Sequence, residues 1–124
     1  MRTIVLLLGL LISAPAMAEW VKYWEGDNGD SYYYDPSTIK RNGNLVRVWE
    51  ISDLKERSKS GVLSARMLPE HDCKEDRRRQ LYFSTHSGPM SQGETLYSDT
   101  TTGPWRYIPP DTVAEDLLKI LCKP

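Results

Sequence analysis

Long apolar runs are almost absent from the chain; the longest, Ile4 to Ile12, has nine residues. At 1.5 Å per residue it spans about 14 Å, roughly half the hydrocarbon thickness that a transmembrane helix must cross. Neither sign of charge dominates, with 16 Lys+Arg against 17 Asp+Glu and a sequence pI of about 6.1. That balance argues against a dedicated nucleic-acid-binding protein, which carries a basic excess on one face. Histidine and cysteine occur twice each, and phenylalanine once. The sequence has no G-x-S-x-G elbow, H-E-x-x-H, P-loop, G-x-G-x-x-G or C-x-x-C, so the signatures of the common hydrolases, nucleotide binders and redox enzymes are missing. An enzyme is not expected, nor is a cofactor. At 124 residues the chain has room for one small domain.

What is present begins with a leader. Met1-Arg2-Thr3, the apolar run and the small-residue stretch Ala16-Met17-Ala18 have the three parts of a cleaved secretory signal. Residues 1–18 are therefore expected to be removed, leaving a domain over residues 19–124. No cysteine follows the small-residue site, so a mature product without a lipid anchor is expected. In an oxidising compartment Cys73 and Cys122 have one possible intramolecular pairing. The alternatives are two free thiols or a bridge between chains. A metal site competes poorly: His71 is the one second ligand near Cys73, and zinc takes four.

The mature chain reads mostly as short strands. Glu19–Trp24 and Asp30–Asp35 flank Gly26-Asp27-Asn28-Gly29, a hairpin in which Asn28-Gly29 supplies the positive-φ residues. Asp35-Pro36 ends the second strand, and Arg41-Asn42-Gly43-Asn44 turns the chain into Leu45–Ser52. Along that strand Leu45, Arg47, Trp49 and Ile51 share one face, while Val46 and Val48 share the other. After a polar loop to Gly61, a strand is expected over 62–68, after which the chain passes Pro69 and Cys73. Lys74–Ser84 is charged and then apolar, a long strand beginning at a sheet edge. The stretch 87–103 reads as a mobile loop with one short strand near Thr95–Tyr97, and Trp105–Ile108 as a last strand. Thr112-Val113-Ala114-Glu115 is a capping box, and Val113, Leu117 and Leu121 recur at helical spacing. The expected fold is α+β: a single antiparallel sheet of five or six strands with one C-terminal helix tethered by the Cys73–Cys122 disulfide.

Two features suggest binding. Lys74 with Arg77-Arg78-Arg79 is the densest cationic cluster, and on a strand Arg77 and Arg79 point to one side, where paired guanidiniums grip acidic groups. The plainer reading is a charged edge strand that resists aggregation, with Glu75 and Asp76 as local partners. Tyr32-Tyr33-Tyr34 cannot all face inward, so Tyr33 is expected at the surface or in a subunit contact. A homodimer formed by strand pairing is also compatible with an exposed edge. His71 and His86 read as ordinary surface or strand-end residues.

The ordered set of the leader, the Trp/Tyr strand, Tyr34-Asp35-Pro36, Val46-Arg47-Val48-Trp49, Asp72-Cys73 before the Arg-rich strand, Trp105-Arg106-Tyr107-Ile108-Pro109 and a helix ending at Cys122 resembles the surface-adhesin protein E family of Gram-negative bacteria. The resemblance implies an exported, non-enzymatic, adhesin-like protein, located in the periplasm or at the cell surface. Its implied partners are host matrix or plasma proteins such as laminin, vitronectin or plasminogen. The alternative is a periplasmic protein-binding or inhibitor module with no host contact. Ligand residues are expected among Lys74, Arg77, Arg79 and Tyr33.

Overall fold

The computed structural model describes residues 18–123; the expected signal segment lies almost wholly outside them. Nine strands and one helix follow in order: β1 (Val21–Glu25), β2 (Ser31–Tyr34), β3 (Lys40–Asn42), β4 (Leu45–Arg47), β5 (Glu50–Asp53), β6 (Ser64–Asp72), β7 (Arg77–His86), β8 (Thr95–Asp99), β9 (Arg106–Tyr107) and α1 (Val113–Leu121). All strand pairs are antiparallel. The long β6–β7 pair is the spine. β5 followed by β2 and β1 lies beside one half of β6, and β4 followed by β3 lies beside the other half. On its far side β7 pairs with β8 and β9.

The sheet has more strands than the expected five or six, partly because Lys40–Asn42 pairs with Leu45–Arg47 around a tight turn, where Gly43 takes a φ of 59°. The rest comes from an interruption. Arg47 faces Glu70 and Glu50 faces Met67, so β4 and β5 follow one continuous register along β6. They part at Val48-Trp49, opposite Pro69. The Val48 amide still reaches the Pro69 carbonyl at 3.4 Å, but proline has no N–H to return. Trp49 bonds instead to the Thr38 hydroxyl and the Asp35 amide. Pro69 therefore does not stop β6, which runs on past the expected 62–68 to Asp72. The donor it lacks falls at the gap between β4 and β5, where no ladder bond is required of it, and its pairing with β7 shifts register at the same point.

Turn chemistry shapes both hairpins. Between β1 and β2, Gly29 alone takes a positive φ, 89°, while the Asn28 side chain holds Asp30. Between β6 and β7, Asp72 accepts from the Lys74 and Glu75 amides, and Asp76 takes a φ of 52°.

The core is small, as a chain short of aliphatics requires. Val46 and Val48 meet Leu117 and Leu121 of α1, with Tyr23, Tyr34, Ile39 and both cysteines packed around them. The helix starts as read, with Thr112 accepting from the Glu115 amide. The Glu115 carboxylate reaches back to the Asp111 amide rather than that of Thr112. The far end is held twice, by the Cys73–Cys122 disulfide and by Arg41 of β3, which donates to the Leu121 carbonyl at 2.6 Å. No helix among the described residues is long and apolar enough to cross a membrane.

Candidate binding surface

Helix α1 covers one face of the sheet and leaves the other face without a helix. Strand registers set out the uncovered face in rows. Tyr33, Ile51, Arg66 and Ser84 lie across β2, β5, β6 and β7, but Ile51 and Ser84 are fully buried and the 88–91 segment is bonded to Asp53 and Ser64 in the adjoining row; Leu68 pairs with Tyr82 in the next row. Beyond them come Arg47, Glu70 and Arg79, then Leu45, Asp72 and Arg77.

Two aromatic–arginine clusters stand on this face. In the first, the Trp49 and Tyr82 rings meet edge-on at 5.2 Å, and the Arg66 guanidinium lies 4.7 Å above Trp49. A groove of about 430 Å³ beside it is lined by Ser37, Thr38, Lys40, Arg47, Trp49 and Leu68. In the second, Arg77 and Arg79 stack on Trp105 at 4.7 and 4.3 Å. Each also pairs with the carboxylate directly across the ladder: Arg77 with Asp72 at 3.0 Å and Arg79 with Glu70 at 2.7 Å. Burial alone would raise the Asp72 carboxyl, but the Arg77 guanidinium and the Glu75 and Lys74 amides outweigh it and hold the group below its ordinary value.

These contacts revise the reading of the charged strand. β7 does not begin at a sheet edge, because Arg77 and Arg78 pair with Tyr107 and Arg106 of β9. Its arginines are neutralised by Asp72, Glu70 and Glu50 rather than by Glu75 and Asp76. Alternation along the strand separates Arg77 and Arg79 from Arg78 as expected. Arg78 turns to the helix side and lies 3.6 Å from the buried Glu50 carboxylate.

Lys74 is exposed on the β6–β7 turn near the second cluster. Tyr33 is half-buried rather than exposed. It shares the face with the arginines but lies three strands from β7, about 14 Å sideways at ordinary strand spacing, and is level with Ser84 rather than with Arg79. Lys74, Arg77 and Arg79 therefore form one group, and Tyr33 stands apart. Trp49, Arg66, Tyr82 and Trp105 are the contributors that residue-by-residue reading passed over. Their signal is alternation: Trp49 shares a face with Arg47, and Trp105 precedes a two-residue strand that pairs with the first two arginines.

Beneath the helix lies a buried polar group. Burial raises the Glu50 carboxyl, with Arg78 and Tyr23 opposing. Burial and the Glu50 carboxylate push the Tyr23 hydroxyl up as well. His71 faces Arg78 and Val46 in the ladder, and neither ring nitrogen has a hydrogen-bond partner. Burial, reinforced by Arg78, lowers it to about 3. Both histidines stand at or near strand ends as read, but they are buried, His71 completely. Among the described residues no three His, Cys, Asp or Glu side chains are grouped to hold a metal ion.

The comparison with known families decides what kind of domain this is: the model of the surface-adhesin protein E family matches residues 20–123. The chain belongs to the surface-adhesin protein E family. Solved structures agree on the fold. Crystal form II of Haemophilus influenzae protein E is 17% identical, with a TM-score of 0.66 over 83% of this chain and 86% of that one. Protein E from non-typeable Haemophilus influenzae, also 17% identical, gives 0.59 over 87% and 79%. No curated protein matches the chain in sequence. As a member of this family the chain is an adhesin-like surface protein, and its sheet, helix and disulfide form the protein E fold.

Proposed function

We propose that the protein is an exported, non-enzymatic adhesin that holds a protein partner on its uncovered sheet face. The observation that carries this reading is the pair of aromatic–arginine clusters, Trp49–Tyr82–Arg66 and Arg77–Trp105–Arg79. Tryptophan, tyrosine and arginine dominate the energetics of protein contacts: the two aromatics bury large areas with only two side-chain torsions to fix, and arginine adds a planar, charged fork of donors. Here the arginines are already fixed by stacking and by Asp72 and Glu70, so little side-chain entropy remains to be lost on docking. Lys74 extends the cationic end toward solvent, and Tyr33 marks the opposite margin. The partner class is host matrix or plasma protein, with laminin, vitronectin and plasminogen as the first to try. A second copy would add at the outer edge of β1, where Val21 is exposed.

Protease shaving of intact cells tests the location. Loss of the domain from unbroken cells is expected; survival until the outer membrane is breached would leave a periplasmic binding or inhibitor module instead. Binding to immobilised laminin and vitronectin tests the face. Arg77→Ala/Arg79→Ala is expected to weaken it about tenfold or more, with Lys74→Ala, which leaves the ion pairs intact, weakening it less. Undiminished binding by both variants, folded by circular dichroism, would reject the face.

A further inference from the structure

A cleft of about 350 Å³ opens between β7, β9 and the first turn of α1, bordering the proposed adhesive face at Arg79. This is near the lower end of the volumes at which small ligands are held. Its apolar wall comes from Pro104, Tyr107, Ile108, Pro109 and Ala114. Tyr107, at 73%, is the most exposed large hydrophobic side chain among the described residues. The polar lining is Arg78, Arg79, Arg106 and Gln80, with no carboxylate, and Arg79 is already paired with Glu70. Arg78 is committed to Glu50, whereas exposed Arg106 has no ion pair among the described residues. The Gln80 Oε1 is buried at the cleft without a hydrogen-bond partner, and its terminal amide turns about a soft torsion.

We infer that this cleft takes a short extended peptide, with an apolar side chain against Pro104, Ile108 and Pro109 and a following Asp or Glu on Arg106. Charge complementarity selects the acidic neighbour: Arg106 is a lining cation with no ion pair among the described residues, and the lining holds no carboxylate. A peptide N–H supplies the donor that Gln80 lacks. The exposed Tyr107 ring flanks the entrance, where it covers the apolar side chain once seated.

Titration of the ¹⁵N-labelled protein with acetyl-Gly-Leu-Asp-Glu-Gly-amide tests the inference. Saturating shifts are expected at the amides of Gly103, Arg106, Ile108 and Ala114. Replacing Leu by Gly in the peptide should weaken binding about tenfold or more, as loss of a buried leucine requires. Replacing Asp-Glu by Asn-Gln, or making Arg106→Gln in the protein, should each weaken it about threefold, the effect of an exposed ion pair. Arg106 is exposed, so that variant keeps the fold. No saturating shift at the four amides, equal binding of the neutral peptide, or shifts confined to Tyr33, Arg66 and Trp49 would overturn the inference. The first two results leave the adhesive face untouched; Arg79 also lines the cleft, so Arg77→Ala, which does not touch it, separates loss of laminin binding from the peptide test.

Discussion

At the residue scale, His71 and Trp105 behave in ways that their types alone do not announce. His71 is buried and its ring nitrogens are unpaired; it faces Arg78, whose guanidinium pairs with Glu50, and Val46. Its folded value, about 3, lies below the ordinary 6.5, so the unfolded chain binds the extra proton first. The stability it permits is full above about pH 6.5 and falls as pH drops toward 3. Urea midpoints measured from pH 7 to pH 4 should therefore decline, and His71→Leu should flatten the decline. Glu50, whose carboxyl is raised, acts in the opposite direction near and above its unfolded value, so Glu50→Gln separates the two contributions. Trp105 is stacked by two guanidiniums. Trp105→Ala should cost about 2 kcal/mol in thermal denaturation, from two cation–π contacts and lost apolar cover, with Trp105→Tyr recovering part. Tryptophan and arginine were each visible in the sequence; their meeting across nearly thirty residues was not, because no local rule links them.

At the element scale, local chemistry explains what was legible. The capping box and the spacing of Val113, Leu117 and Leu121 marked the helix, and Thr112 does cap it. Thr112→Ala should lower stability by about 1 kcal/mol, with Thr112→Ser close to neutral; guanidinium unfolding followed at 222 nm checks both. Leu45–Ser52 was readable as one strand because its alternation places Val46 and Val48 together, and the register along β6 is indeed unbroken. The parting at Val48-Trp49 was not readable, since it depends on Pro69 standing opposite. β3 was missed for a related reason. Lys40-Arg41-Asn42 has no apolar residue and becomes a strand through its hairpin with β4 and through Arg41, which reaches the end of α1.

At the scale of the whole molecule, one short helix gives the two-faced sheet a helix-covered side and leaves the other for the proposed binding. That helix is nine residues long, too short to persist alone, and the Cys73–Cys122 bond holds it to the β6–β7 turn. The bond closes a sequence separation of 49 residues, so the chain-entropy model assigns it about 4 kcal/mol. Cys73→Ala/Cys122→Ala, or reduction of the native protein, should lower Tm by about 15 °C or more for a domain of this size. Amide exchange in α1 should accelerate more than in β6. Equal acceleration everywhere would mean that the helix is not separately tethered.

The sequence by itself determined the α+β class, the hairpin at Gly26–Gly29, the helix with its cap and the one intramolecular pairing that two cysteines allow. Each follows from interactions within a few residues, or from counting. The tertiary structure alone decided that Pro69 lies inside a strand, that the charged strand is an interior one with its carboxylates opposite, and that Tyr33 stands apart from the arginines. It also decided which face the helix leaves open. Those outcomes depend on register between distant segments, where a shift of one residue moves every side chain to the other face.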